Sequence, residues 1–144
     1  ENNPMVFEVR RKSGTNTFRP RSSEHPQDEM PPGLLVARVV GRIYFANVQN
    51  VGQRLRDLVE AERPKVLILD CSAIPDMEYT ALMALMEWEA SGRKQGIRLV
   101  LAALTPPALE AVQRTSLGAT LGRSGLFATV EIAVDQLGSQ QGVG

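Results

Sequence analysis

The stretch that decides the fold is Pro64-Lys65-Val66-Leu67-Ile68-Leu69-Asp70-Cys71-Ser72-Ala73-Ile74-Pro75-Asp76. Val66 to Leu69 is a short apolar run without polar alternation, the pattern of a central strand covered on both faces. Such a strand needs helices around its sheet, and the flanking sequence supplies them. Upstream, Leu34 to Val40 predicts a strand, Gly41-Arg42 a tight turn and Ile43-Tyr44-Phe45 its return. Asn47 or Asn50 then caps a helix, and Asn50 with Gln53 resembles a capping box. The apolar stripe of that helix is Val48, Val51, Leu55, Leu58 and Val59, with Arg54, Arg56, Asp57 and Glu60 outward. Pro64 stops it.

Downstream, a second helix is expected after Pro75, with Asp76 as N-cap and Glu78 in its first turn, both favourable at the positive end of the helix dipole. It runs to about Gln95, where Gly96 supplies the stop. Ile97 to Ala102 predicts the next strand. Thr105 caps a third helix with Pro106 at its first position, and Leu109, Val112 and Leu117 face inward. Gly118, Gly122 and Gly125 break the chain before Phe127. Thr129 to Leu137 predicts a last helix with Val130, Ala133, Val134 and Leu137 inward. Strands alternating with helices imply an α/β fold: a mixed, mostly parallel central sheet of about four to five strands with about four to five helices.

The two ends differ from this pattern. Met5 to Arg10 partly alternates and predicts a short edge strand. Ser13 to Pro32 carries Pro20, Pro26, Pro31 and Pro32 among polar residues and reads as a linker or long surface loop. From Gly138 a disordered tail is expected.

Composition narrows the function. A chain of 144 residues is one domain by size. Its 16 Lys and Arg balance 16 Asp and Glu, so it lacks the basic excess of a nucleic-acid binder. With a single cysteine, Cys71, no internal disulfide forms, as in a cytosolic protein or one that needs no staples. With a single histidine, His25, a His-based zinc site or a Ser/His/Asp triad lacks material. There is no run of about 20 apolar residues that would span a bilayer, and no signal-peptide pattern at the start. The chain begins with Glu1 and reads as a fragment cut from something longer.

The densest polar cluster is the loop Asp70 to Glu78. Asp70, Asp76 and Glu78 would be the acid/base or Mg²⁺ ligands of an enzyme. No His, Lys or second carboxylate cluster completes that site, and turn and capping roles account for all three. Cys71 has no base or cation beside it in sequence and reads as a buried structural thiol. Gly118, Gly122 and Gly125 lack the Gly-Lys-Ser/Thr ending of a phosphate loop. Arg114 and Arg123, with Ser116, Thr120 and Ser124, suit an anion or a solvated surface equally. The second helix stands out because Thr80 to Trp88 is apolar almost all round. Leu82, Leu85 and Met86 suffice for the core, which leaves Met83 and Trp88 as candidate partner contacts. No enzymatic activity, cofactor or metal is expected.

Two further runs point to a family. Pro32-Gly33-Leu34-Leu35-Val36-x-Arg38 leading to Gly41-x-Ile43-Tyr44-Phe45-Ala46-Asn47 resembles the start of the STAS domain at the cytoplasmic C-terminus of SulP-type sulfate permeases. Pro64 to Leu82 and the later Leu117-Gly118, Leu121-Gly122 and Leu126-Phe127 resemble its continuation. The resemblance implies a STAS-type fold over residues 33–137. Residues 1–32 would be a linker region from a missing membrane domain, with a short edge strand, and 138–144 a tail. It also implies a regulatory, protein-interaction domain of a sulfate or related anion transporter, on the cytoplasmic side of the inner membrane. Partners so implied are the transporter's own membrane domain, cytosolic proteins, a nucleotide, and a second copy through the full transporter, but no nucleic acid.

The other branch of the family is the free-standing anti-sigma-factor antagonist, switched by phosphorylation of one serine. Asp70 and Ser72 match its motif, Glu78 replaces the second Asp, and Thr80 and Leu82 match. Tyr79 occupies the phosphoserine position and Ala81 replaces a Gly. Thr80 is then the substitute hydroxyl, opposed by Glu78 nearby. The candidate regulatory loop is accordingly Asp76, Glu78, Tyr79 and Thr80, followed by the helix face of Met83 and Trp88.

Overall fold

The computed structural model describes residues 5–43 and 46–143, with side chains of 6–43 and 46–140. In chain order these form β1 (Met5–Arg11), β2 (Phe18–Pro20), β3 (Leu34–Val40), α1 (Val48–Glu62), β4 (Val66–Asp70), α2 (Tyr79–Lys94), β5 (Arg98–Ala102), α3 (Pro106–Gln113), α4 (Ser116–Leu121), a 3₁₀ turn (Arg123–Gly125), β6 (Leu126–Phe127) and α5 (Val130–Val143). Among the described residues the sheet has six strands in the order β2-β1-β3-β4-β5-β6. β3, β4, β5 and β6 run parallel, and β1 is antiparallel to both β2 and β3.

β4 is buried at all five positions, as its unbroken apolar run requires. Alternate residues of the sheet feed two cores. On one face Leu35, Ala37, Leu67, Leu69, Leu99 and Leu101 pack with Val51 and Leu55 of α1, Leu85 of α2, Val112 of α3 and Leu117 of α4. On the other, Leu34, Val36, Val66, Ile68, Val100 and Ala102 meet Val130, Ala133, Val134 and Leu137 of α5. Four helices thus cover one face and α5 the other. Each buried Leu or Val contributes about 1.5–3 kcal/mol of transfer free energy.

Several expectations change, beginning with the strand count, which is six against four to five. β1 is not an edge strand: it lies between β2 and β3, where Val9 is fully buried. The Pro-rich stretch supplies β2 and is tied to the body by charge instead of running as a linker. Within the stretch Arg19 makes two bonds of 2.7 Å to Asp28, and Glu29 forms a backbone bridge with Arg11 of β1. Glu8 is buried on the α1 face and accepts from Arg10 (2.8 Å) and Arg21 (3.0 Å); both arginines also reach Glu62 at the end of α1 (3.3 and 2.9 Å). The hairpin return after Gly41 has no place to pair, because β1 and β4 already flank β3. Ile43 is instead buried among the residues under α1 and α2, and Tyr44 and Phe45 lie outside the described residues. Finally, residues 138–143 continue α5. Gly138 allows this close approach, since a Cβ there would stand 3.0 Å from Pro31.

α1 begins after Asn47, whose side chain donates to the Arg42 carbonyl (2.9 Å) instead of capping the helix, while Asn50 lies inside it. α1 ends at Glu62, one residue before a left-handed Arg63 and then Pro64. α2 ends at Lys94, and Gly96 at φ 79° turns the chain into β5. Leu109 is only half-buried; Ala108 and Val112 carry the inward face of α3.

Two predictions follow from this packing. Leu85→Ala removes a fully buried side chain between α2 and the sheet and lowers unfolding free energy by about 2–5 kcal/mol, read from the urea midpoint. The two bonds from Arg19 hold the Asp28 carboxyl below its ordinary value. A carboxyl depressed in the folded state stabilises it above the unfolded value of about 3.9, and that stability is lost as pH falls through the folded value. Asp28→Asn should therefore flatten the decline of stability below about pH 4.

Candidate functional site

The chain crosses the carboxyl ends of the parallel strands between Asp70 and Tyr79, and this loop is built from its backbone outward. Cys71 N–H donates to Ala102 O (2.9 Å) on β5, and Ile74 N–H to Cys71 O (3.1 Å). Gly41 N–H, just beyond β3, donates to Ala73 O (3.1 Å). Thr105 Oγ donates to Pro75 O (2.9 Å) and also accepts from Ala108 N–H (3.3 Å), so one hydroxyl caps α3 and pins the loop. Ile74 and Met77 turn into the core. Pro75 and Asp76 stay exposed.

Asp70 ends β4 beside Arg38 of β3, in register. Its carboxylate accepts from Arg38 Nε (2.8 Å) and from the Ser72 N–H (3.0 Å). It is buried and held as part of the turn. Cys71 is fully buried, its Sγ–H pointing to Leu69 O at 3.5 Å; burial and then the Asp70 charge push its thiol far above the ordinary value. Among the described residues no group of three or more His, Cys, Asp or Glu is placed to hold a metal.

Asp76 is not the cap of α2. Glu78, in extended conformation, takes that place without a side-chain capping bond, because burial of Met77 keeps the preceding residues out of the helix. The Glu78 carboxylate pairs instead with Arg42, which ties the loop to the segment after β3. Tyr79 is the first helical residue and is 75% exposed; Met83, one turn on, is 44% exposed. Thr80 is half-buried and shares a depression with Met83, Trp88, Val48, Gln49 and Met86. Trp88 packs partly against the core, at Gly52 of α1. The structure thus gathers Glu78, Tyr79, Thr80 and Met83 at one end of α2, with Asp76 in the loop before them and Trp88 further along the helix, on the depression it shares with Thr80 and Met83. Of the arginines named from sequence, Arg114 pairs with Glu110 at 3.2 Å and Arg123 is exposed.

Three residues that matter here carried little signal. Arg38 and Arg42 find their carboxylates across 32 and 36 residues. Ala103 at the end of β5 adopts φ 61°, a left-handed conformation that costs an alanine about 1–2 kcal/mol. Its N–H donates to Phe127 O (2.9 Å), so pairing of β6 holds it there.

With this geometry the comparisons with known proteins can be placed. Residues 25–133 match the family model of the STAS domain, and the chain belongs to that family. Its relatives are sulfate transporters, as the resemblance in its motifs implies. It is similar to Sulfate transporter 1.3 of Arabidopsis thaliana, 32% identical over 85% of this chain and 20% of that protein. High affinity sulfate transporter 2 of Stylosanthes hamata is 30% identical over 94% of this chain and 22% of its own length. The chain spans about a fifth of these curated relatives. In fold it matches the murine Solute Carrier 26 family member A9 anion transporter in the inward-facing state (TM-score 0.81, 14% identity, 97% of this chain and 22% of that one). It also matches the SulP transporter STAS domain of Vibrio cholerae (TM-score 0.70, 19% identity, 85% and 94%). An anti-sigma factor antagonist in its unphosphorylated form shares the fold at TM-score 0.60 and 17% identity, over 76% of this chain and 92% of that one.

Two outcomes are expected of this site. Cys71 should resist a water-soluble thiol reagent in the native protein and react only at the rate of unfolding. Ala103→Gly should raise unfolding free energy by up to about 1 kcal/mol, because glycine adopts the same φ without strain.

Proposed function

We propose that this chain is the cytoplasmic regulatory and protein-interaction domain of a transporter for sulfate or a related anion, with the transport path in sequence outside it. The observation that carries the reading is the pair Tyr79 and Met83. Both are exposed on adjacent turns of α2 while Ala81, Leu82, Ala84 and Leu85 are buried beneath them. Large apolar side chains held together in water on a rigid helix suit a contact surface. The loop residues Asp76, Glu78, Tyr79 and Thr80 and the helix residues Met83 and Trp88 make up that surface. It takes the transporter's own membrane domain and cytosolic proteins as partners. The names of the sulfate transporters it is similar to support the transport context. Among the described residues no helix is long and apolar enough to cross a membrane, so the reading places the membrane part elsewhere.

Met83→Glu puts a charge in the middle of this surface at a position whose exposure spares the fold, within about 0.5 kcal/mol. In cells expressing the full-length protein, sulfate uptake is expected to fall severalfold with the same amount of protein in the membrane fraction. Unchanged uptake overturns the contact surface. A native cell extract in which an antibody to this domain finds only a cytosolic band of the size of this chain overturns the transporter itself.

A further inference from the structure

β1 is antiparallel to β3, and its first residue, Met5, stands opposite Val40, the last residue of β3. The chain therefore enters the fold at the rim where the parallel strands end. That rim also carries the loop from Asp70 to Tyr79 and the starts of α1, α2, α3 and α5. α5 then runs back along the sheet and brings Gly138 to Pro31 and Leu34, at the start of β3 on the opposite rim.

The two rims differ in what they show to water. Among the described residues the exposed large hydrophobic side chains are Val40, Tyr79, Met83 and Ile132. All four belong to the first rim: Val40 ends β3, Tyr79 opens α2 with Met83 one turn on, and Ile132 lies in the first turn of α5. Pro75, Pro106 and Pro107 at the loop tips are exposed beside them, and the charges of Arg42 and Glu78 pair with each other. The opposite rim, at the starts of β4 and β5, exposes Arg63, Lys65, Lys94 and Arg98. None of these four meets a carboxylate within ion-pair distance among the described residues. Covering unpaired cations is costly, whereas covering apolar side chains is favourable.

We propose that the rim at the carboxyl ends of the strands is the seat of the transporter's own membrane domain, and that the cationic rim faces away from it. The proposal rests on the transporter reading and deepens it, by saying which of the two partners takes Val40, Tyr79 and the loop tips. The matched segment is 20% of one sulfate transporter and 22% of another, so most of each such protein lies outside it. A domain joined through β1 is held at this rim at high effective concentration, so weak apolar contacts suffice to seat it. The 16 residues of α2 span about 24 Å, so a partner seated at Tyr79 does not reach Lys94.

The test uses membranes from cells expressing the full-length protein, with p-benzoylphenylalanine replacing one exposed residue at a time. On irradiation, the probe at Val40 or Tyr79 should form adducts with peptides of the same protein outside these 144 residues, identified by mass spectrometry. At Lys65 or Lys94 the yield should be severalfold lower. Adducts formed mainly from Lys65 and Lys94 overturn the proposal, because the cationic rim then faces the membrane. Adducts from Val40 and Tyr79 to lipid alone or to other proteins alone overturn it too, as does their absence from both rims. In those cases a fall in uptake with Met83→Glu still upholds the contact surface, with a different partner on it. A protein confined to the cytosolic fraction overturns the transporter reading, and this seat with it.

Discussion

Everything in this molecule hangs on the parallel seating of Val66–Asp70 between Leu34–Val40 and Arg98–Ala102. A parallel neighbour cannot be reached by a tight turn, so each strand must be followed by a crossing helix before the next is laid down. That requirement places α1 and α2 on one face. It also brings the loop between β4 and α2 to the carboxyl ends of the strands, where α/β sheets present their functional segments. Asp70 is the hinge of this arrangement. One carboxylate closes the turn through Ser72 and locks β4 to β3 through Arg38. The loop after it is therefore rigid at its root and exposed at its tip.

What was legible in the amino-acid sequence was whatever repeats with a period. The apolar run of β4, the stripe of α1 and the inward residues of α5 all announce themselves. Two short strands do not, since Phe18–Pro20 and Leu126–Phe127 are too brief to show alternation. The turn after Gly41 was misread for a related reason. A glycine beside an apolar run looks like a hairpin locally, but the flank of β3 was already taken by β1, a strand about thirty residues earlier in the chain. The same limit applied to the site. Glu78, Tyr79 and Thr80 stand together in sequence and are found as a cluster. Arg38 and Arg42, which hold their carboxylates, come from another strand and the segment that follows it, and only the sheet register brings them there.

α2 does three tasks with one surface. Leu82 and Leu85 close the core; Tyr79 and Met83 stay in water; Trp88 packs partly against the core beside Gly52 of α1. A helix apolar on nearly every side is usually one buried on every side. Here the excess is divided between exposed side chains at its start and a cavity near its end.

Among the described residues the sheet ends on Phe18–Pro20 at one side and Leu126–Phe127 at the other. Three residues with a proline, and two residues, offer almost no run of free backbone groups to an incoming strand. Such a molecule cannot lengthen its sheet by stitching a neighbour onto it, so polymerisation through its edges is closed off. The surface left for contact on the described residues is that of helices and loops, through side chains that can discriminate one partner from another.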